Sequence, residues 1–279
     1  MTPNEIKKEL AFFLLTDGGL SRLRTTYAIY FTNKSKQLHN EFKSLITQLT
    51  TSDQHFQVNV HKGVIRTYCF NSKLALELLQ ISPTYRTTPC RSHPLCARLR
   101  GVPERQPCIE CKPVRGGYPS ARFPPIRNIP RALQIIAATE GSLTFHPYQY
   151  PSYVALKRSV DIACEHPTLQ IQIIDMLRRL GLFARKKGKG GLRLDGFGVE
   201  QFHRKIGFPN GITQNRGVFH GIEKQSILKL MIITKELIKH KQFFPGRITN
   251  LKELLRNCAM MIQKGFQEEA IRRLIRSSC

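Results

Sequence analysis

Residues 10–18 read LAFFLLTDG and residues 133–141 read LQIIAATEG. Each closes an apolar stretch of helical length, EIKKELAFFLLT over 5–16 and IPRALQIIAAT over 129–139, and each ends in an acid followed by glycine. Asp17 and Glu140 thus sit at predicted helix C-termini, where the helix dipole is negative and a carboxylate is disfavoured. The glycines that follow, Gly18 and Gly141, let the chain turn sharply and leave a backbone carbonyl beside each carboxylate. Two such helices packed side by side would gather two carboxylates and two carbonyls. Oxygen-only donor sets of that kind suit hard cations such as magnesium or calcium. Either acid alone is an ordinary helix stop; the matched pair points to chemistry.

Working outward, the residues after each acid repeat one order. Strand character runs over 20–32 and, interrupted by prolines, over 142–164. Helical periodicity returns at 36–49, with Leu38, Phe42, Leu45, Ile46 and Leu49 on one face. It returns again at 168–180, with Leu169, Ile173, Met176, Leu177 and Leu180 on one face. A strand pair follows in both halves: 55–60 and 64–70 around Lys62-Gly63, then 182–185 and 192–194 around residues 186–191. Further helices are predicted near 72–80 and 198–206. The pattern is α+β, with αββαββα repeats over residues 1–82 and 129–240, duplicated in order although hardly in sequence. A linker rich in Pro, Arg and Cys spans 83–128. A long helix near 223–240 precedes a C-terminal helical extension, residues 241–279, with amphipathic stretches at 251–262 and 266–275.

Charge is the strongest global signal. Forty-four Lys and Arg face nineteen Asp and Glu, a net charge of +25 and a pI near 10.1. A soluble surface needs no such excess. A polyanion partner does, because Lys and Arg neutralise phosphates and release their counterions. No basic amphipathic anchor helix supports a membrane surface as the alternative. No apolar run approaches the roughly 18 residues of a spanning helix, and the start MTPNE lacks the basic and apolar regions of a signal peptide. Nucleic acid is the expected partner, and an intracellular site (cytoplasm, nucleoid or organelle) the expected compartment.

At this point the sequence resembles the LAGLIDADG homing endonuclease family in its double-motif, single-chain form. Residues 10–18 keep the motif's leucine, alanine, final acid and glycine; residues 133–141 keep the leucine and glycine, with glutamate as the final acid. The acids stand 123 residues apart (140 − 17), a plausible repeat length. Phe202, then Ile206-Gly207-Phe208, then Lys224 resemble the ending of the family's second repeat, and LRRLGL over 177–182 the helix before it. The resemblance covers 5–82 and 129–240. There are departures: Phe12 stands where the family usually has glycine, and Gln134-Ile135 replace an Ala-Gly pair, while Ala11, Ala137 and Ala138 remain small.

The resemblance implies two pseudo-symmetric repeats whose antiparallel sheets form a saddle over double-stranded DNA. It implies a site-specific, divalent-metal-dependent endonuclease acting as a monomer on a long asymmetric target. Asp17 and Glu140, with the carbonyls of Gly18 and Gly141, would hold magnesium or another divalent cation. Lys224 would be the active-site lysine; Arg86, Tyr30 and Asn33 are further carry-overs near that centre. The alternative is a non-cleaving protein of the same fold, a transcriptional regulator or intron maturase. Retention of both acids argues for cleavage.

Base reading should fall to the strands, where alternate side chains share a face and a ribbon fills the major groove. Candidates in the first half are Ser21, Arg22, Arg24, Thr26, Gln57, Asn59, His61, Arg66 and Tyr68. In the second they are His146, Tyr148, Lys157, Arg158, Arg185, Lys187, Arg193 and Asp195. The run RKKGKGG over 185–191 suits a loop on the phosphate backbone and lacks P-loop spacing.

Four cysteines cluster in the linker as Cys90-x5-Cys96-x11-Cys108-x2-Cys111, with His93 between the first two. Thiolates so spaced can close a tetrahedral structural zinc site; two disulfides and free thiols are the other states open to them. The remaining cysteines read as small core residues. The histidines show neither zincin spacing nor a shared cluster.

Overall fold

The computed structural model describes residues 1–23, 25–50, 54–82, 84–85, 121–149, 154–188, 190–237 and 248–278. The first repeat runs α1 (Pro3–Thr16), β1 (Gly18–Leu23), β2 (Thr26–Asn33), α2 (Lys36–Leu49), β3 (Phe56–His61), β4 (Val64–Phe70) and α3 (Ser72–Ile81). The second repeats that order as α4 (Ile129–Glu140), β5 (Gly141–Gln149), β6 (Val154–Ala163), α5 (Pro167–Arg179), β7 (Arg185–Lys186), β8 (Gly191–Asp195) and α6 (Phe197–Lys205). Helices α7 (Lys224–Leu237), α8 (Ile248–Gln263) and α9 (Glu268–Ser278) follow. The α+β reading and its duplicated order hold.

Local chemistry starts these helices where it should. The hydroxyls of Thr2 and Ser35 accept the backbone N–H of Glu5 and Leu38, each at 3.3 Å, and Asn71 accepts that of Leu74 at 2.9 Å. Each satisfies one of the donors that a helix start leaves unpaired. Asn128 does the same for Arg131 at 3.1 Å, just ahead of Pro130 in the first turn of α4.

The two sheets share one antiparallel strand order: β1-β2-β4-β3 in the first and β5-β6-β8-β7 in the second. Pro147 lies inside β5 rather than interrupting it. That is tolerable because β5 is an edge strand, where a missing N–H breaks no ladder on the open side.

Two compact units emerge: residues 1–140 with 164–176, and residues 141–163 with 177–279. In the first, α1, α2 and α3 cover one face of the sheet and α4 packs on α1. Residues 10–15 of α1 are apolar all round, and Leu10, Ala11, Phe12, Phe13 and Leu14 are fully buried, as expected of a helix enclosed by neighbours. Phe31, inward from β2, meets Phe13 edge-on at 5.3 Å and stacks on Phe42 at 5.4 Å. In the second unit α6, α7 and α8 pack against the sheet, with α9 on α7 and α8. Phe145 stacks on Phe219 at 5.5 Å there. The extension is therefore part of that unit's core: Leu251, Leu255, Cys258, Ile271 and Ile275 are buried.

Candidate active site and nucleic-acid interface

Asp17 caps the C-terminus of α1, and Glu140 is the last residue of α4. Both helices lie in the first unit and pack on each other. Arg131 of α4 ties the pair together: its Nε donates to Glu9 of α1 at 3.3 Å, and it also ion-pairs with Glu41 of α2.

Asp17 is held from the sheet side. Its backbone carbonyl accepts Thr32 N–H at 2.8 Å, and Asn33 Nδ2 donates to its Oδ2 at 2.5 Å. Asn33 is fixed in turn, because its Oδ1 accepts Ser35 N–H at 2.8 Å and its carbonyl meets His39 Nε2 at 3.0 Å. A carbonyl can only accept, so His39 carries its proton on Nε2, and Nδ1 accepts from the Thr67 hydroxyl at 2.8 Å. Burial lowers the His39 pKa, against the opposing bond to Asn33, and a nearby Lys43 lowers it further. The imidazole is thus a neutral strut beneath Asn33. The sequence placed Asn33 near this centre as an implied carry-over; nothing in periodicity identified His39, buried inside an amphipathic helix.

Gly18 is required by packing. A Cβ there would lie 2.6 Å from the Tyr30 carbonyl oxygen and 3.0 Å from Leu14 Cα, both backbone atoms. Gly18→Ala should therefore destabilise the protein by about 1–3 kcal/mol, the usual cost of overpacking a tight core. A urea melt checks this, and a variant as stable as the parent would contradict the close approach of β1 to α1.

In the second unit Lys224 opens α7 and is only 4% exposed. Its Nζ donates to the Gly141 carbonyl at 2.5 Å and stands 5.4 Å from the centre of the Phe208 ring. The carbonyl that the sequence assigned to a metal therefore accepts a lysine. The Ile206-Gly207-Phe208 segment is tied to the start of the same helix, since Phe208 N–H donates to Gln225 Oε1 at 2.8 Å. Gly207 has φ +65°, with Gln225 Oε1 only 3.1 Å from where a Cβ would be, so the segment is built for glycine.

Strand register sorts the candidate base readers by face. In the first sheet Ile29, Phe31, Thr67 and Cys69 point to the helices and are buried. Gln57, Asn59, His61, Arg66 and Tyr68 alternate with them and share the opposite face. Arg66 Nε donates to the Thr32 hydroxyl at 2.9 Å and its guanidinium lies 5.9 Å from the Tyr30 ring centre, so that face is an ordered polar surface. Arg22 falls in phase with Leu20 on the helix side, exposed at the end of β1.

In the second sheet His146 pairs across the strands with Lys157, whose Nζ sits 3.9 Å from the Tyr148 ring centre. Arg158 is turned the other way, in phase with buried Leu156, Val160 and Ile162. Adjacent residues on a strand cannot share a face, so Lys157 and Arg158 do not read together. Arg158 Nη1 donates to the Leu156 carbonyl at 3.3 Å; its Nε and Nη2 are buried without a hydrogen-bond partner among the described residues. Burial pushes its pKa down to about 10.

Arg193, Lys187 and Arg185, all expected at DNA, are already paired with carboxylates. Arg185 Nε contacts Asp195 at 2.7 Å. Arg193 and Lys187 converge on Asp161, which the sequence reading did not single out. Its signal was faint: one acid, flanked by Val160 and Ile162, in the strand VALKRSVDIA.

Arg24, Cys90, Cys96, Cys108 and Cys111, with His93 and Arg86, lie outside the described residues. Among the described residues no group of three or more His, Cys, Asp or Glu could hold a metal ion. Cys69 and Cys258 are buried and Cys164 is half-buried; burial pushes the Cys69 thiol up to about 11. Among the described residues no helix is long and apolar enough to cross a membrane.

No family model matches the sequence, and no curated protein does. Solved structures do. I-SmaMI bound to an uncleaved DNA target in the presence of calcium ions is 12% identical, over 92% of this chain and 98% of that one, with a TM-score of 0.53. A single-site variant of I-SmaMI gives the same identity, coverage and score. The homing endonuclease I-DmoI is 14% identical over 73% of this chain and 96% of its own, with a TM-score of 0.44. At such identities the likeness to I-SmaMI is one of fold.

Proposed function

We propose that this chain is a site-specific, divalent-metal-dependent DNA endonuclease that binds a long asymmetric duplex as a monomer. The observation that carries this reading is the packing of α1 on α4, two helices that each end in a carboxylate at the start of a sheet. Arg131 meets Glu9, 122 residues earlier (131 − 9), and the acids are 123 apart (140 − 17). For helices running the same way, that register carries both acids to one end. The net charge of +25 and the polar open faces of both sheets supply the surface for a polyanion.

The donors fit a hard cation, since Asp17 and Glu140 offer oxygen alone and Asn33 orients one oxygen of Asp17. A divalent ion bound there would supply a polarised water and charge neutralisation at the scissile phosphate. Asp17 and Glu140 do the binding; Asn33, backed by His39, orients Asp17. Lys224, buried against the Gly141 carbonyl, places its Nζ donor at the start of β5.

Selection from a randomised duplex library in magnesium tests this. One long, non-palindromic site should emerge, bound by one chain and cut until a chelator is added. Affinity should fall steeply with salt, the logarithmic slope counting the phosphates neutralised. Two chains on a palindrome would refute the monomer reading, and tight binding without cutting would leave the non-cleaving alternative standing.

A further inference from the structure

Asp161 is a buried acid on the open face of the second sheet, 6% exposed, near the C-terminal end of β6. Four hydrogen bonds reach it. Arg193 donates Nε to Oδ1 at 2.6 Å and Nη2 to Oδ2 at 2.9 Å, from directly across the strand pair. Lys187 Nζ donates to Oδ2 at 2.9 Å, and the Thr144 hydroxyl donates to the same oxygen at 2.9 Å from β5. Burial alone would push the carboxyl pKa up, but the bonds from Arg193, Lys187 and Thr144 outweigh it and hold it below its ordinary value. The group is an anion at neutral pH.

Two cations that a polyanion surface could spend on phosphates are therefore clamped to the sheet. The clamp also selects which donors remain. A guanidinium has five N–H groups, and Asp161 takes the Nε–Nη2 side of Arg193. Nη1 and the second N–H of Nη2 take no part in those two bonds, and together they form the end-on fork of the guanidinium. That end-on fork is the geometry that pairs with the O6 and N7 edge of guanine. Asp161 also removes one positive charge from the face, which weakens attraction to phosphates of any sequence.

We propose that Asp161 is a specificity-determining residue: it converts Lys187 and Arg193 from phosphate-binding cations into fixed readers of base edges on duplex DNA. The proposal rests on the reading of the chain as a DNA-binding protein. It requires that loss of the acid raise non-specific affinity while lowering discrimination. A merely structural acid would not produce those opposite changes.

Binding is measured in calcium by fluorescence anisotropy, on the duplex recovered by selection and on a scrambled duplex, across a salt series. Asp161→Asn should bind the scrambled duplex several-fold tighter, with a salt slope steeper by about 0.9 for each cation released to a phosphate. The preference for the selected duplex should fall about tenfold, the scale of one bidentate base contact. Lys187→Gln, at a half-exposed side chain, serves if the first variant does not fold. It should reduce the preference and leave the scrambled-duplex slope unchanged, because its ammonium is already engaged with Asp161. A slope flattened by a full phosphate in Lys187→Gln, or an unchanged preference in a folded Asp161→Asn, overturns the proposal. Wild-type protein that binds no duplex overturns the DNA-binding reading itself, and the proposal with it.

Discussion

Asp17→Asn and Glu140→Gln should each abolish the proposed duplex cleavage while leaving duplex binding nearly intact. The loss should be on the order of 10³-fold or more in the single-turnover rate, the scale of removing a group aimed at transition-state charge. Both substitutions keep shape and remove the negative charge that a hard cation requires. Affinity should change by no more than about threefold, because it rests on many phosphate contacts rather than on two acids. For Asp17→Asn the bond from Asn33 Nδ2 can persist to the new amide oxygen, so the local fold survives. Quenched-flow cleavage in magnesium, paired with anisotropy in calcium, separates the two effects. Full double-strand cutting by the double variant would remove both acids from the chemistry.

Phe12→Ala should cost about 3–5 kcal/mol of stability, the range for deleting a fully buried aromatic side chain. Phe12 stands where the homing endonuclease motif usually carries glycine, at a position expected to govern how closely the helices pack. It is fully buried, and its ring stacks on Phe123 at 4.7 Å with an interplanar angle of 10°. Phe123 belongs to the segment ahead of α4, which Gln172 of α5 also holds through both backbone groups of Phe123, at 2.8 and 3.1 Å. The phenyl ring thus fills space between α1 and this entering segment. A double-mutant cycle with Phe123→Ala should recover about 0.5–1.5 kcal/mol of coupling, the typical value of an aromatic pair. Chemical denaturation of the four proteins measures both quantities. A single-variant cost below about 1 kcal/mol would mean the site collapses around the gap and the stacking is incidental.

The open faces of the two sheets differ in how their polar groups are used. In the first, Gln57, Asn59 and His61 lie on an edge strand and are exposed. In the second, Arg185, Lys187 and Arg193 are paired with Asp195 or Asp161. Such a difference is what an asymmetric target requires of two repeats sharing one strand order, and equivalent faces would instead favour a palindrome.

The order of elements was legible in the sequence because it depends on near neighbours. Apolar residues at helical spacing and a glycine after each acid act within a few residues of one another. The excess of basic residues is likewise independent of fold. The face that each strand residue occupies was decided by tertiary structure. A strand has a period of two, so a shift of one residue exchanges its faces, and only pairing with neighbouring strands fixes which face meets the helices. That separates Lys157 from Arg158 and places Arg22 in phase with Leu20. The partners of the site residues were decided the same way. Asn33 reaches Asp17 because β2 lies against β1, and His39 reaches Thr67 because α2 lies over β4. Arg193 meets Asp161 because β8 pairs with β6. A hydrogen bond needs its two atoms within about 3 Å, and for groups 16 to 32 residues apart in the chain only the packed sheet and helices provide that closeness.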